Sequence, residues 1–408
     1  MLSLKIKKQG GVIVFTVLKY FELAVSAITT FFVAKKIGPT ELGHSITVLL
    51  YITYSNYLSL GLNQALMKNI SKFSTELQIK EFITANLQYI LLACCLNITI
   101  CYFVINEPFM FFTILISCGV LLRGFFSSYF RSIYKIRVLN INNTLFSISL
   151  LGLVFLYVNT WYEYMVYWAI SIWGCLLLYF VSDYIFFIQI VKGSFKKISI
   201  EQLKFNLSEG VKLAITGIIT TFLLTTDRIV ISHKDYPIEV KGTYQLADYF
   251  GTSFYMFVTT IFFYYYPKWI EKIRNDTSFR KKMMEYVKKT MYLPPLFALI
   301  FFLIAKLSVY LFFHDYNELE YMVIGSVLLK SFVIINSLFS IYFIGIDKEN
   351  EYIKQTFPAC VLFLCLGVSF YLGKNINIFI IAFTFPCLLF LEDYRRLKYI
   401  KNKYDVEK

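Results

Sequence analysis

The polar and apolar positions of this chain sort into long blocks rather than a short alternation. Predominantly apolar stretches cover residues 11–35, 42–64, 82–105, 108–130, 141–158, 164–191, 210–233, 243–266, 289–313, 321–346, 355–373 and 376–391. A helix needs about 20 such residues to cross the hydrocarbon of a bilayer. The pattern therefore predicts an all-α integral membrane protein with about twelve spans, the last of them the shortest. The first stretch is too long for the apolar part of a secretory leader. It carries no small-residue cleavage site and another span follows at once, so it reads as a retained helix.

Composition narrows the function classes. Of 408 residues, 58% are hydrophobic and only 16% charged, with a mean hydropathy of +0.61. Twelve spans take roughly 240 residues, which leaves little apolar material for a soluble domain. A water-soluble enzyme with an appended anchor, a disordered chain and a disulfide-stapled secreted protein are excluded. The net charge of +14 is explained by position. With the N-terminus in the cytoplasm, 29 of the 40 lysines and arginines fall in cytoplasmic segments, five in outer loops and six within or at the edge of spans. That asymmetry is the positive-inside signature. It places both termini in the cytoplasm and accounts for the basic excess without nucleic acid. The outer loops are a few residues each, too short to build an external catalytic site. The eight cysteines lie in apolar runs without metal-site spacing, and no cofactor motif is present.

The chain repeats itself. Gly38-Pro39-Thr40-Glu41-Leu42-Gly43 follows span one, and Tyr236-Pro237-Ile238-Glu239-Val240-Lys241-Gly242 follows span seven. Each has Pro-x-Glu and then a glycine opening the next helix, and the prolines are 198 residues apart. The predicted organisation is an N-terminal lobe at 1–192, a cytoplasmic linker at 193–209 and a C-terminal lobe at 210–408. Six spans in each half give both halves the same orientation, the arrangement of parallel repeats around a central cavity. Within the linker, Ile200, Leu203 and Leu207 have the spacing of a short interfacial helix. The loop 267–289 carries eight lysines and arginines, which fit a topology determinant or a lipid site.

Ala34-Lys35-Lys36-Ile37-Gly38-Pro39-Thr40-Glu41-Leu42-Gly43 resembles the Ala-x-x-Leu-Gly-Pro-x-x-x-Gly turn of polysaccharide flippases, with Ile37 in place of Leu. Leu60-Gly61-Leu62 is similar to that family's break near the end of span two. Asp227-Arg228-Ile229 and Gly242-Thr243-Tyr244 are similar to its Asp-bearing span seven and Gly-x-Tyr helix start. The family is the polysaccharide transporter branch, in particular the Wzx-type O-antigen flippases, of the multidrug/oligosaccharidyl-lipid/polysaccharide exporter group. The resemblance implies two six-helix lobes, alternating access and export of undecaprenyl-pyrophosphate-linked oligosaccharide across a bacterial inner membrane. Its implied partners are the lipid-linked oligosaccharide, membrane lipid and other polysaccharide-assembly proteins. The peptidoglycan-precursor branch usually carries fourteen spans, against twelve here. With no phosphate-binding loop, the energy source is an ion gradient, proton or sodium, or the substrate gradient itself.

A charge in the hydrocarbon costs about 2.5–3.5 kcal/mol, so each one within a span needs a reason. The cations are Lys19, Arg123, Lys212, Arg228, Lys306 and Lys330; the anions are Glu22, Asp183, Asp227 and Asp248. Lys212 and Asp248 sit near predicted span ends, where they can reach water. Lys19 and Glu22 share a helix face, either as a helix-packing pair or as a gated pair facing the cavity. Asp227 and Arg228 point about 100° apart, so at least one pairs elsewhere. Arg123, Lys306 and Lys330 have no carboxylate within four residues. They are candidates for a cationic lining suited to a pyrophosphate, unless the lysines pair with distant acids such as Asp183 or Asp248. The substrate-site candidates are thus Arg123, Lys306, Lys330, Lys19, Glu22, Asp183, Asp227 and Arg228. Two other classes compete: a multidrug or small-solute exporter of the same fold, and a membrane polymerase or glycosyltransferase. The second lacks the external loop or soluble domain such enzymes use.

Overall fold

The computed structural model describes residues 2–69, 76–105, 108–133, 135–185, 187–188 and 200–404. Among them every regular element is helical: α1 (Leu2–Ser55), a 3-10 turn (Asn56–Ser59), α2 (Leu62–Asn69), α3 (Glu76–Val104), α4 (Met110–Ser132), α5 (Ile136–Tyr157), α6 (Trp161–Ser182), α7 (Ile200–His233), α8 (Ile238–Asn275), α9 (Thr277–Thr290), α10 (Pro294–Leu311), α11 (Leu319–Gly345), α12 (Glu349–Leu372) and α13 (Ile378–Tyr404). In a bilayer the backbone polar groups have no water to bond, and a helix satisfies them internally.

Nine of the described helices are long and apolar enough to cross a membrane, and α1 supplies two passes. Gly38 breaks it with φ +75° and ψ 174° ahead of Pro39, a left-handed conformation that glycine adopts without a Cβ clash. The other two passes are α8, whose apolar stretch is diluted by tyrosine and threonine, and α13, whose apolar stretch ends at Glu392. Among the described residues the helices are consistent with the expected twelve passes of an all-α, multi-pass membrane protein.

Three details differ from the sequence expectation. The interfacial segment at 200–209 is the first part of α7, because nothing between Leu207 and Lys212 breaks the helix; linker residues 193–199 lie outside the described residues. The loop 267–289 is helical: α8 overruns its span to Asn275, and α9 follows with Asp276 as its cap. Asp276 accepts the N–H groups of Ser278 (2.8 Å) and Phe279 (3.2 Å). Hydrogen bonds from Ser278, then Phe279, hold its carboxyl below the usual carboxylate range. Span six ends early, at Ser182, with Asp183 as its C-cap.

The chain forms two compact units. The first comprises Met1–Lys36 and Thr47–Ile218; the second comprises Ile37–Ile46 and Ile219–Lys408. In the first, Phe82, Phe125, Phe130 and Tyr179 centre a core built from α3, α4 and α6. In the second, α11 is buried along most of its length and packs on α8, α10 and α13. Helix α10, by contrast, turns most of its side chains outward, as a lipid-facing helix does.

The repeat extends to side-chain detail. Lys36 caps the C-terminus of α5, donating to the carbonyls of Val154 (3.1 Å) and Phe155 (2.8 Å). Lys234, 198 residues later, caps α12 through Phe370 (3.0 Å) and Gly373 (2.5 Å). A cation there meets the negative end of the helix dipole, and α5 and α12 are each the fifth pass of their half. Reporter fusions after Lys80, Lys281 and Lys403 should read cytoplasmic and a fusion after Glu318 external, because the basic turns set orientation. A tail reading external would overturn the twelve-pass count.

Candidate functional site

The intramembrane charges gather into separate clusters, each within one unit. The first unit holds Lys19 and Glu22 on α1 and Arg123 on α4. Lys19 Nζ lies 2.9 Å from Glu22 Oε2, the expected i,i+3 pair. Arg123 Nη2 is 3.9 Å from Glu22 Oε1 and donates to Asn143 Oδ1 on α5 at 2.9 Å. Its guanidinium lies 4.0 Å from the Phe146 ring centroid, within range for a cation–π contact. Tyr179 on α6 donates to the same Asn143 oxygen at 3.1 Å. Among the described residues one carboxylate thus serves two cations, which leaves the cluster one positive charge in excess. Its side chains are partly open, 36% for Lys19, 13% for Glu22 and 21% for Arg123.

Arg123 begins a polar stripe. Ser127 and Arg131 follow at four-residue steps and share its face of α4. Beside the stripe is a cavity of about 210 Å³ lined by Asn56, Asn63, Gln64, Ser127, Ser128 and Arg131. It lies just past the second arm of α1, where the 3-10 turn ends at left-handed Leu60 and Gly61, the break the family resemblance placed there. Polar donors and a cation along one face provide hydrogen bonds for hydroxyl and phosphate oxygens.

The second unit holds a closed network. Asp248 on α8 accepts from both Lys330 Nζ on α11 and Arg228 Nη1 on α7, the latter at 3.0 Å. Lys330 also donates to the Leu224 carbonyl at 2.8 Å. Asp227 accepts from Tyr244 Oη at 2.5 Å and from the Arg228 backbone N–H at 2.8 Å. Two cations face two anions, all buried. Asp227 and Arg228 do point to different partners, as their adjacency requires. Lys330 is not an unneutralised cation, since Asp248 neutralises it. Asp248 is not a water-reaching residue either. Helix α8 begins ten residues before it, which puts it about 15 Å along the helix.

The remaining candidates stand apart. Asp183, expected within span six, caps α6 and pairs with Lys135 (2.7 Å) and Tyr129 Oη (3.0 Å). Lys306 is exposed on α10, where its stem can carry the ammonium toward the interface. The side chain of Lys212 lies outside the described residues. The sequence reading missed Asn143, Gln64, Ser127, Ser128 and Arg131. A signal for the first was present: Asn142-Asn143 is a polar doublet in an apolar span. Other intramembrane asparagines join helices, Asn97 to Ser117 (2.7 Å) and Asn336 to Arg396.

Neither a protein-family profile nor a curated protein sequence matches the chain. Solved structures do. A lipid II flippase, MurJ, in an inward closed conformation aligns with a TM-score of 0.71 at 14% identity, over 95% of this chain and 87% of that one. A multidrug resistance MATE family transporter of the MOP superfamily, inward-facing, aligns with a TM-score of 0.61 at 12% identity, over 95% of this chain and 99% of that one. An outward-facing MATE structure aligns at 0.57 and 12% identity, over 95% and 96%. At such identities the likeness establishes the fold alone, the one these solved structures share.

Proposed function

We propose that this chain is a flippase that carries a lipid-linked oligosaccharide with a pyrophosphate head, an O-antigen or similar surface-polysaccharide repeat unit, across a bacterial inner membrane by alternating access. Its moving parts are the N-terminal lobe at 1–192 and the C-terminal lobe at 210–408, both termini are cytoplasmic, and a proton or sodium gradient supplies the energy. The observation that carries the reading is the cationic excess at Lys19, Glu22 and Arg123. The buried network of the second unit balances two cations with two anions, whereas the cationic excess of the first unit falls on a partly open cluster at the head of a polar stripe. A poorly hydrated passage with a positive charge and hydroxyl-binding amides suits a phosphorylated sugar. Asn56, Asn63, Gln64 and Arg131 then hold the sugar-phosphate head, and Arg123 meets the pyrophosphate.

Arg123→Ala is expected to lower flipping of a pyrophosphate-linked oligosaccharide in proteoliposomes at least tenfold, the loss of a charge-assisted contact worth about 1.5–3 kcal/mol. Arg123→Lys should rescue in part, since it keeps charge but not the fork. Arg123→Glu should be inactive at normal membrane abundance. Undiminished flipping by Arg123→Glu would overturn the assignment. The MATE likeness supports a second reading, an ion-coupled multidrug or small-solute exporter. Transport of a cationic dye, but not of the lipid-linked sugar, by the same proteoliposomes would select it.

A further inference from the structure

The second unit contains an apolar cavity of about 350 Å³ that the transport reading does not use. Phe254, Phe262 and Trp269 of α8, Phe279 and Val287 of α9, and Phe297 of α10 form its walls. The volume is within the roughly 300–1,000 Å³ of small-ligand sites. Helix α9 makes its roof. On that helix Phe279, Met283, Tyr286, Val287 and Thr290 recur at helical spacing and face the cavity. The rest of the helix is basic, so α9 has the character of an interfacial amphipathic helix.

The charges around the cavity differ in what they touch. Arg274 pairs with Asp347 at 2.6 Å. Arg280 donates to the carbonyls of Ile273 (2.5 Å) and Arg274 (2.9 Å). Lys272 instead holds its ammonium 5.4 Å from the centroid of Phe279, a ring of the cavity wall. Lys282 and Lys289 follow Phe279 and Tyr286 by three residues each and so flank the apolar stripe. Lys281 and Lys288 fall on the opposite side of α9. The carboxylates nearby are Asp276, which caps α9 and lies within electrostatic reach of Lys282, and the exposed Glu271 and Glu285. Positive charge thus stands beside an apolar cavity, with Lys272 over its wall residue Phe279 and Lys282 and Lys289 along the helix that covers it, on the membrane face that the lysine distribution assigns to the cytoplasm.

We infer that this cavity binds an anionic phospholipid of the cytoplasmic leaflet, one acyl chain inside and the headgroup phosphate on Lys272, Lys282 and Lys289. An apolar hole takes the chain, and three lysines beside it meet the anionic lipid surface. The site is independent of what the protein transports.

Trp269 lies in the wall and reports occupancy directly; the other tryptophans, Trp161, Trp168 and Trp173, are all on α6. Full-length protein in phosphatidylcholine nanodiscs is titrated with phosphatidylglycerol carrying brominated chains, and Trp269→Phe protein supplies the baseline. Quenching that depends on Trp269 should saturate at low mole fraction. Lys272→Gln/Lys282→Gln/Lys289→Gln should raise the half-saturating fraction about tenfold or more, whereas Lys281→Gln/Lys288→Gln should leave it unchanged. Val258, on α8 between Phe254 and Phe262, also lines the cavity, and Val258→Phe, which narrows it, should reduce the quenching. Emission from α6 and the elution profile verify folding, and the lysine variants, all at exposed positions, decide the matter if Val258→Phe does not fold. Equal quenching by brominated phosphatidylcholine, or an equal loss in the opposite-face pair, would overturn the inference. Displacement of the quencher by a polyisoprenyl phosphate at lower concentration would also overturn it, by assigning the cavity to the tail of a transported lipid.

Discussion

Asp248→Ala should remove most of the folded protein from the membrane, whatever the transport assay. Asp248 is the common acceptor for Arg228 and Lys330, and the side chains of Asp248 and Lys330 are each only 2% exposed. Deleting it leaves two cations in a low-dielectric interior. Asp227 cannot replace it, because its oxygens already hold Tyr244 and the Arg228 N–H. Breaking one partner out of a buried ion pair costs about 3–5 kcal/mol, against a total stability of about 5–15 kcal/mol. Lys330→Met should cost less, since Arg228 still pairs with Asp248. The double variant Asp248→Asn/Lys330→Met should be more stable than Asp248→Asn alone, because it removes the orphaned ammonium as well. Membrane abundance and thermal unfolding in detergent test the order. A double variant no better than the single one would show that the pair is not coupled as described.

Gly242→Val should be nearly as damaging, for a reason that involves no charge. A Cβ at Gly242 would stand 1.8 Å from the carbonyl oxygen of Pro39 and 2.9 Å from the backbone N of Gly43. The approach is reciprocal, with a Cβ at Gly43 2.1 Å from the Ile238 carbonyl oxygen. The opposing atoms are helix backbone, which cannot turn aside as a side chain does. Overpacking costs about 1–3 kcal/mol where side chains can adjust, and more is expected here. Gly152→Val is the control, because nothing lies within 4 Å of a Cβ there. That variant should lose at most the ~0.5 kcal/mol of an ordinary surface change. Similar thermal shifts for the two would contradict the close packing of the two turns.

The sequence by itself determined the class of the molecule and much of its plan. Blocks of apolar residues as long as a bilayer is thick leave a chain few choices, since each must become a helix that bonds its own backbone. Charge follows the same logic: lysines and arginines resist translocation, so their positions predict an orientation that the reporter fusions test. Pairs three residues apart, such as Lys19 and Glu22, could be read because helix geometry alone brings them together. The Gly-Pro turn could be read as well, since Gly38 and Pro39 are where a helix breaks. Tertiary structure alone decided which distant charges meet. Lys330 and Asp248 are 82 residues apart, and no local rule distinguishes a lysine facing a cavity from one facing an acid on another helix. The same holds for Asn143 beneath Arg123, for the polar cavity beside α4 and for the apolar cavity under α9, each assembled from several helices. It also holds for the two Pro-x-Glu turns. Their likeness was visible in the chain, but that Thr40 donates to Glu239 at 3.4 Å and that Gly242 lies against Pro39 follow only from packing. Hydrophobicity places residues in the membrane without choosing their neighbours; shape and charge complementarity between whole helices does that.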